Sequence, residues 1–141
     1  MGDGEWVVRN NDCGPKVMEG TTTQDLYRQG GINASLKLGY AREGSEASRG
    51  IVSPDKGTSL WASMFKGEKP QGWWNLPTGS SIPEGYRYVS TEIINGIEHW
   101  EFRPIRDVAV QAFEEAANSI TEWSWMGNSR RRVGWIRTRR E

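Results

Sequence analysis

The chain has 141 residues, 18 Lys and Arg balanced by 18 Asp and Glu, one Cys and one His. That length suits a single domain able to bury roughly two-thirds of the surface its unfolded form exposes, and the balanced charge excludes a global field that would drive the molecule onto nucleic acid or an anionic membrane. Cys13 stands alone, which excludes an intramolecular disulfide, and with His99 as the only histidine a zinc site built from Cys and His is excluded too, so no metal is expected.

The opening "MGDGEWVVRNNDCG" has no basic segment followed by an apolar one, and no window approaches the roughly 20 apolar residues that span a bilayer. The expectation is a soluble protein without a classical export signal. Asn33-Ala34-Ser35 matches a glycosylation sequon but reads as chance in that setting. Gly and Pro concentrate between residues 14 and 85, where helical periodicity is lacking, so short strands and loops are expected there.

"TQDLYRQGG" predicts a short strand on which Tyr27 and Arg28 point to opposite sides, one toward a cleft and the other into packing. An arginine fork suits bidentate phosphate binding, and equally a solvated surface cation. In "PDKGTSLWASMF", Gly57 precedes Thr58 and Ser59, a turn whose N–H groups and hydroxyls suit either a ligand's phosphate or a simple cap. The spacing of a P-loop or a dinucleotide fingerprint is absent. "WWNLPTGSSIPEGYRYV" follows: Trp73 and Trp74 point opposite ways, one for the core and one for a pocket, before a turn-rich link.

Asn95-Gly96 is the strongest hairpin signal, because both positions of a type I′ turn need positive φ. A two-residue loop then predicts Ile94 opposite Ile97, Glu92 opposite His99, and Ser90 opposite Glu101. Alternation would place Ser90, Glu92, His99 and Glu101 on one polar face, and Val89, Thr91, Ile93, Trp100 and Phe102 on the core face. Such a face is either a solvated ribbon or an active site. After Pro104, Asp107 is the expected N-cap of an amphipathic helix over 107–123, with Val108, Ala112, Ala116 and Ile120 as its stripe, widened by Ala109, Phe113 and Trp123. The tail "SRRRVGWIRTRRE" mixes basic and aromatic residues.

The order "DLYR", "GTSLW", a "W-x-LP-x-G-x-x-IP-x-G" run and "HWEF-x-P" before a helix resembles the Tse-type toxins exported by bacterial type VI secretion. The likeness divides the chain into an N-terminal extension (1–24), a toxin domain (25–123) and a basic C-terminal tail (124–141). It implies an α+β fold (mixed α/β): a compact single domain with antiparallel-rich sheets and a C-terminal amphipathic helix, resembling the ADP-ribosyltransferase toxins. It also implies an NAD-dependent enzyme, held in the producer's cytoplasm, exported by a specialised system with or without a carrier protein, and acting in the target cell's cytoplasm. A macromolecular ADP-ribose acceptor and a neutralising immunity protein would be its partners.

In that fold class an arginine, a Ser/Thr motif and a glutamate or histidine motif on three strands converge on NAD. Carried over here, His99, Glu101 and Ser59 would be catalytic, and Arg28, Tyr27, Thr58, Ser59, Trp61 and Trp73 would bind the dinucleotide. The chain departs from the common Glu-x-Glu pair, having Glu-His-Trp-Glu at 98–101, so Glu98 and Glu101 fall on opposite faces of a strand. Two other readings remain. One is an RNA- or DNA-acting toxin in which His99 and a glutamate cleave by acid–base chemistry and the tail grips phosphates; the other is a non-enzymatic binding module resting on the eight Trp.

Overall fold

The computed structural model describes residues 7–9, 16–31, 50–66 and 72–128. Cys13, the sequon at Asn33 and most of the basic tail, Trp135 included, lie outside the described residues. Among those described, the fold is sheet-dominated and mixed α+β, with one helix.

The strands in chain order are β1 (Val7–Arg9), β2 (Val17–Met18), β3 (Leu26–Gln29), β4 (Ile51–Val52), β5 (Thr58–Trp61), β6 (Gly72–Leu76), β7 (Tyr86–Ile94), β8 (Ile97–Pro104), β9 (Val108–Ala109) and β10 (Ser124–Asn128); helix α1 is Val110–Asn118. Eight strands form one sheet in the order β1-β7-β8-β5-β3-β6-β10, with β2 also on β7, while β4 and β9 pair separately. Both boundaries drawn from sequence fall inside this sheet: β1 and β2 come from the expected extension, and β10, expected as tail, pairs with β6.

Asn95 (φ 52°) and Gly96 (φ 82°) both adopt the left-handed conformation that the two-residue hairpin demands. Ile94 faces Ile97 and Glu92 faces His99, as expected, but a bulge between Ser90 and Glu92 then shifts the register. Ser90 therefore lies opposite Trp100, not Glu101, and Val89 takes the place opposite Glu101. One extra residue exchanges the faces. Ser90 turns to the core side, fully buried, and Thr91 leaves its expected core position for the side of His99. The bulge coincides with a change of partner: Glu92 pairs with Arg9 of β1, and Val89 with Val17 of β2.

The core face of the sheet carries Leu26, Leu60, Leu76, Tyr86, Tyr88, Trp100 and Phe102, all buried, and α1 closes over it. Phe113 is the anchor, with its ring centroid 5.5 Å from that of Phe102, which itself stacks on Tyr86 at 5.2 Å. The helix is shorter than its periodicity predicts. Val108 and Ala109 are held extended against Val52 and Ile51, so Ala109 is the N-cap residue and Asp107 caps nothing. The buried stripe is consequently Phe113 and Ala117, flanked by Val110 and Ala116, while Ala109 and Ala112 face water. Ile120 and Trp123 still pack on the core, but from the segment after the helix.

The "LPTGSS" run is a clasp. Asp25 accepts hydrogen bonds from the Thr78 N–H (2.9 Å) and hydroxyl (2.7 Å), and Thr22 Oγ1 donates to the Pro77 carbonyl (3.0 Å). Those Thr78 bonds hold the Asp25 carboxyl below its usual range despite some burial. The clasp fixes the entry to β3, the strand that carries Tyr27 and Arg28.

Candidate functional site

Strands β3, β5 and β8 are neighbours at the centre of the sheet, so residues 31 and 40 positions apart meet there. On β5, alternation sends Thr58 and Leu60 into the core, and Ser59 and Trp61 to the opposite face. On β8 it sends Trp100 and Phe102 into the core, and His99 and Glu101 to the face of Ser59. Ser59 stands directly across from Glu101, and Trp61 across from His99.

His99 is only 8% exposed, and both ring nitrogens are engaged. Nε2 lies 3.0 Å from Ser59 Oγ, and Nδ1 lies 2.6 Å from Thr91 Oγ1, whose hydroxyl also reaches the His99 carbonyl at 3.3 Å. Trp61 meets the imidazole edge-on, with centroids 4.6 Å apart. Burial pushes the imidazole pKa below its ordinary value; Glu101 and Glu92 oppose this and Arg103 adds to it, so the ring is neutral at pH 7.

The other expected residues divide. Alternation from Leu26 sets Arg28 on the side of the sheet opposite His99, and from there its Nη1 donates to the main-chain carbonyl oxygen of Ser59, at 3.1 Å. Tyr27 pairs with Trp61 across β3 and β5 and is half-buried, which raises its phenol pKa. Glu101 shares the His99 face and accepts from Arg103 Nε at 2.8 Å. Thr58 does not join them: it is buried and turned to the core, because adjacent strand residues face opposite ways. Nor does Trp73 offer a stacking face. It is fully buried, with Phe65 edge-on at 5.0 Å, while Trp74 is the half-buried one, packed against Trp125.

Thr91 is the functional neighbour that alternation missed. Its signal was present, since Ser90-Thr91-Glu92 is a run of three polar residues, which strict alternation between an apolar and a polar face cannot accommodate. Glu98, as expected, points away from Glu101. Burial disfavours its charge, yet bonds from Lys16 (3.0 Å), Ser90 (3.0 Å) and Trp100 Nε1 (3.1 Å) outweigh this and keep its pKa low. Among the described residues, no three His, Cys, Asp or Glu side chains gather as a metal-ligand set. No family model matches the chain, and no curated protein matches it in sequence.

Proposed function

We propose that the chain is an NAD-dependent ADP-ribosyltransferase of the exported antibacterial toxin class, acting on a macromolecule in the target cell's cytoplasm and restrained by an immunity protein. The observation that supports this is the meeting of Tyr27, Ser59, Trp61, His99 and Glu101 on one face of three adjacent central strands, with Ser59 Oγ 3.0 Å from His99 Nε2, while Arg28 borders them through its 3.1 Å bond to the Ser59 main-chain carbonyl. A cleavable dinucleotide needs a cation for phosphate, hydroxyl partners for ribose and a ring to lie against. The site has the guanidinium of Arg103 beside Glu101 and that of Arg28 at its border, an exposed hydroxyl, that of Ser59, and a half-buried indole, that of Trp61.

NAD supplies a nicotinamide–ribose bond whose cleavage leaves positive charge on the ribose. Arg28 would hold the pyrophosphate, Ser59 and His99 the ribose hydroxyls, and Glu101 the negative charge that the ribose needs, its freedom governed by Arg103. Thr58 is given no part because it faces the core, and Trp73 none because its ring, though joined to Trp61 through Phe65 on the His99 side, is fully buried. The test is incubation of the protein with a cell lysate and labelled NAD. Transfer to lysate proteins is expected from wild type and not from His99→Ala or Arg28→Ala. Label transfer that survives both substitutions removes the assignment, and unchanged rates in Glu101→Gln and Glu92→Gln remove the carboxylate's role. Quenching of Trp fluorescence by NAD, lost in Trp61→Leu, reads binding separately from transfer.

A further inference from the structure

Thr91 has a single hydroxyl proton and two acceptors within reach, the His99 carbonyl oxygen and Nδ1. A carbonyl only accepts. When the Thr91 proton goes to it, Nδ1 must carry the ring proton and donate to Thr91 Oγ1, which leaves the Nε2 lone pair facing the Ser59 hydroxyl at 3.0 Å. All three hydrogen bonds are then made. The other tautomer has Thr91 donating to Nδ1 and abandons the bond to the carbonyl. Bond satisfaction therefore selects the imidazole that accepts the Ser59 proton.

We propose that Ser59, His99 and Thr91 form a nucleophile, base and orienter that give this domain acyl-accepting activity toward activated esters, independently of any dinucleotide. Ser59 is exposed and His99 is buried, so the base is shielded from water while the nucleophile stays accessible. Burial also keeps the ring neutral at pH 7, with its lone pair free for a proton. Ser59 Oγ attacks the ester carbonyl carbon and its proton passes to Nε2. The bond from that carbon to the alcohol oxygen breaks, and the departing oxygen takes the proton from Nε2, leaving acyl-Ser59 and a neutral alcohol. No oxidant or second reactant enters. Thr91 touches no reacting atom and is a positioning residue.

The experiment treats the whole chain, without NAD, with a fluorophosphonate probe and with an aryl acetate, and locates the adduct by peptide mass. Phosphonylation of Ser59 in wild type is expected, with none in a Ser59→Ala variant of wild-type thermal melting. His99→Gln should slow labelling about 100-fold or more, the scale of general base catalysis. Thr91→Val should slow it and lower the pH at which labelling sets in, because the imidazolium loses the acceptor of its Nδ1 proton, and Thr91→Ser should restore both. An unlabelled wild type, an adduct on another residue, or a rate indifferent to His99→Gln in a variant with wild-type thermal melting overturns the proposal. Since NAD is left out, these outcomes are separate from those of the transferase assay.

Discussion

Replacing Gly57 by alanine tests the close approach that brings β5 to β8. A Cβ at this position would stand 1.9 Å from the Phe102 carbonyl oxygen and 2.8 Å from its carbon, whereas ordinary contact begins at 3.4 Å, so the strands must part by about 1.5 Å. Neither atom can swing aside, because both are backbone and Phe102 is fully buried in the core. Overpacking generally costs about 1–3 kcal/mol, and the rigid obstacle puts Gly57→Ala at the upper end, about 3 kcal/mol. With a urea slope of about 2 kcal/mol per M, the unfolding midpoint followed by Trp fluorescence should fall by about 1.5 M. Gly31→Ala is the control, since nothing lies within 4 Å of its added carbon and its φ is not positive; it should stay within about 0.5 kcal/mol of wild type. The same opening takes Ser59 beyond hydrogen-bond reach of His99, so Ser59 labelling should fall with stability. Equal midpoints for the two variants would refute the close-approach reasoning.

Phe113→Ala removes the ring that ties α1 to the sheet and should cost about 3–5 kcal/mol in the same urea assay, while Gln111→Ala on the exposed side should be near neutral. Since burial lowers the His99 pKa from 6.5, the unfolded chain takes up a proton below that pH that the folded chain refuses. Stability should therefore be level just above pH 6.5 and decline below it, and this slope should vanish in His99→Gln. Glu98→Gln should cost about 1–2 kcal/mol, because one of two hydrogen-bonded acceptor oxygens is lost from a side chain that is 13% exposed. Lys16→Ala should cost less than about 1 kcal/mol, since the Lys16 side chain is 62% exposed; equal losses would show that charge and not acceptor count matters at Glu98.

What was legible in the sequence was local. Asn95-Gly96 fixed the hairpin and the facing of Glu92 and His99, because both facts follow from turn stereochemistry within eight residues. The facing of Ser90 and Glu101 failed two residues further on, where β7 exchanges one partner strand for another and absorbs Thr91 in a bulge. Periodicity found α1 but overran its start, because pairing of β9 with β4 is a tertiary preference that overrides Asp107 as a cap. At the site, Ser59, His99 and Glu101 were within reach of strand alternation, and of the adjacent Tyr27 and Arg28 it is Tyr27 that takes the face of His99. Thr58 and Trp73 were not separable from their neighbours, since alternation says that adjacent residues diverge without saying which of them meets the core.

The contacts that assemble His99 span long stretches of chain: Arg28 reaches across 31 positions to Ser59, and Ser59 across 40 to His99. Closing such loops costs entropy before any bond returns it, so topologies of this kind fold slowly. No segment shorter than the stretch from Arg28 to His99 contains the constellation. Whatever chemistry Ser59 performs should appear in step with global refolding, in one kinetic phase, and a chain kept unfolded during transit would be inert until that moment.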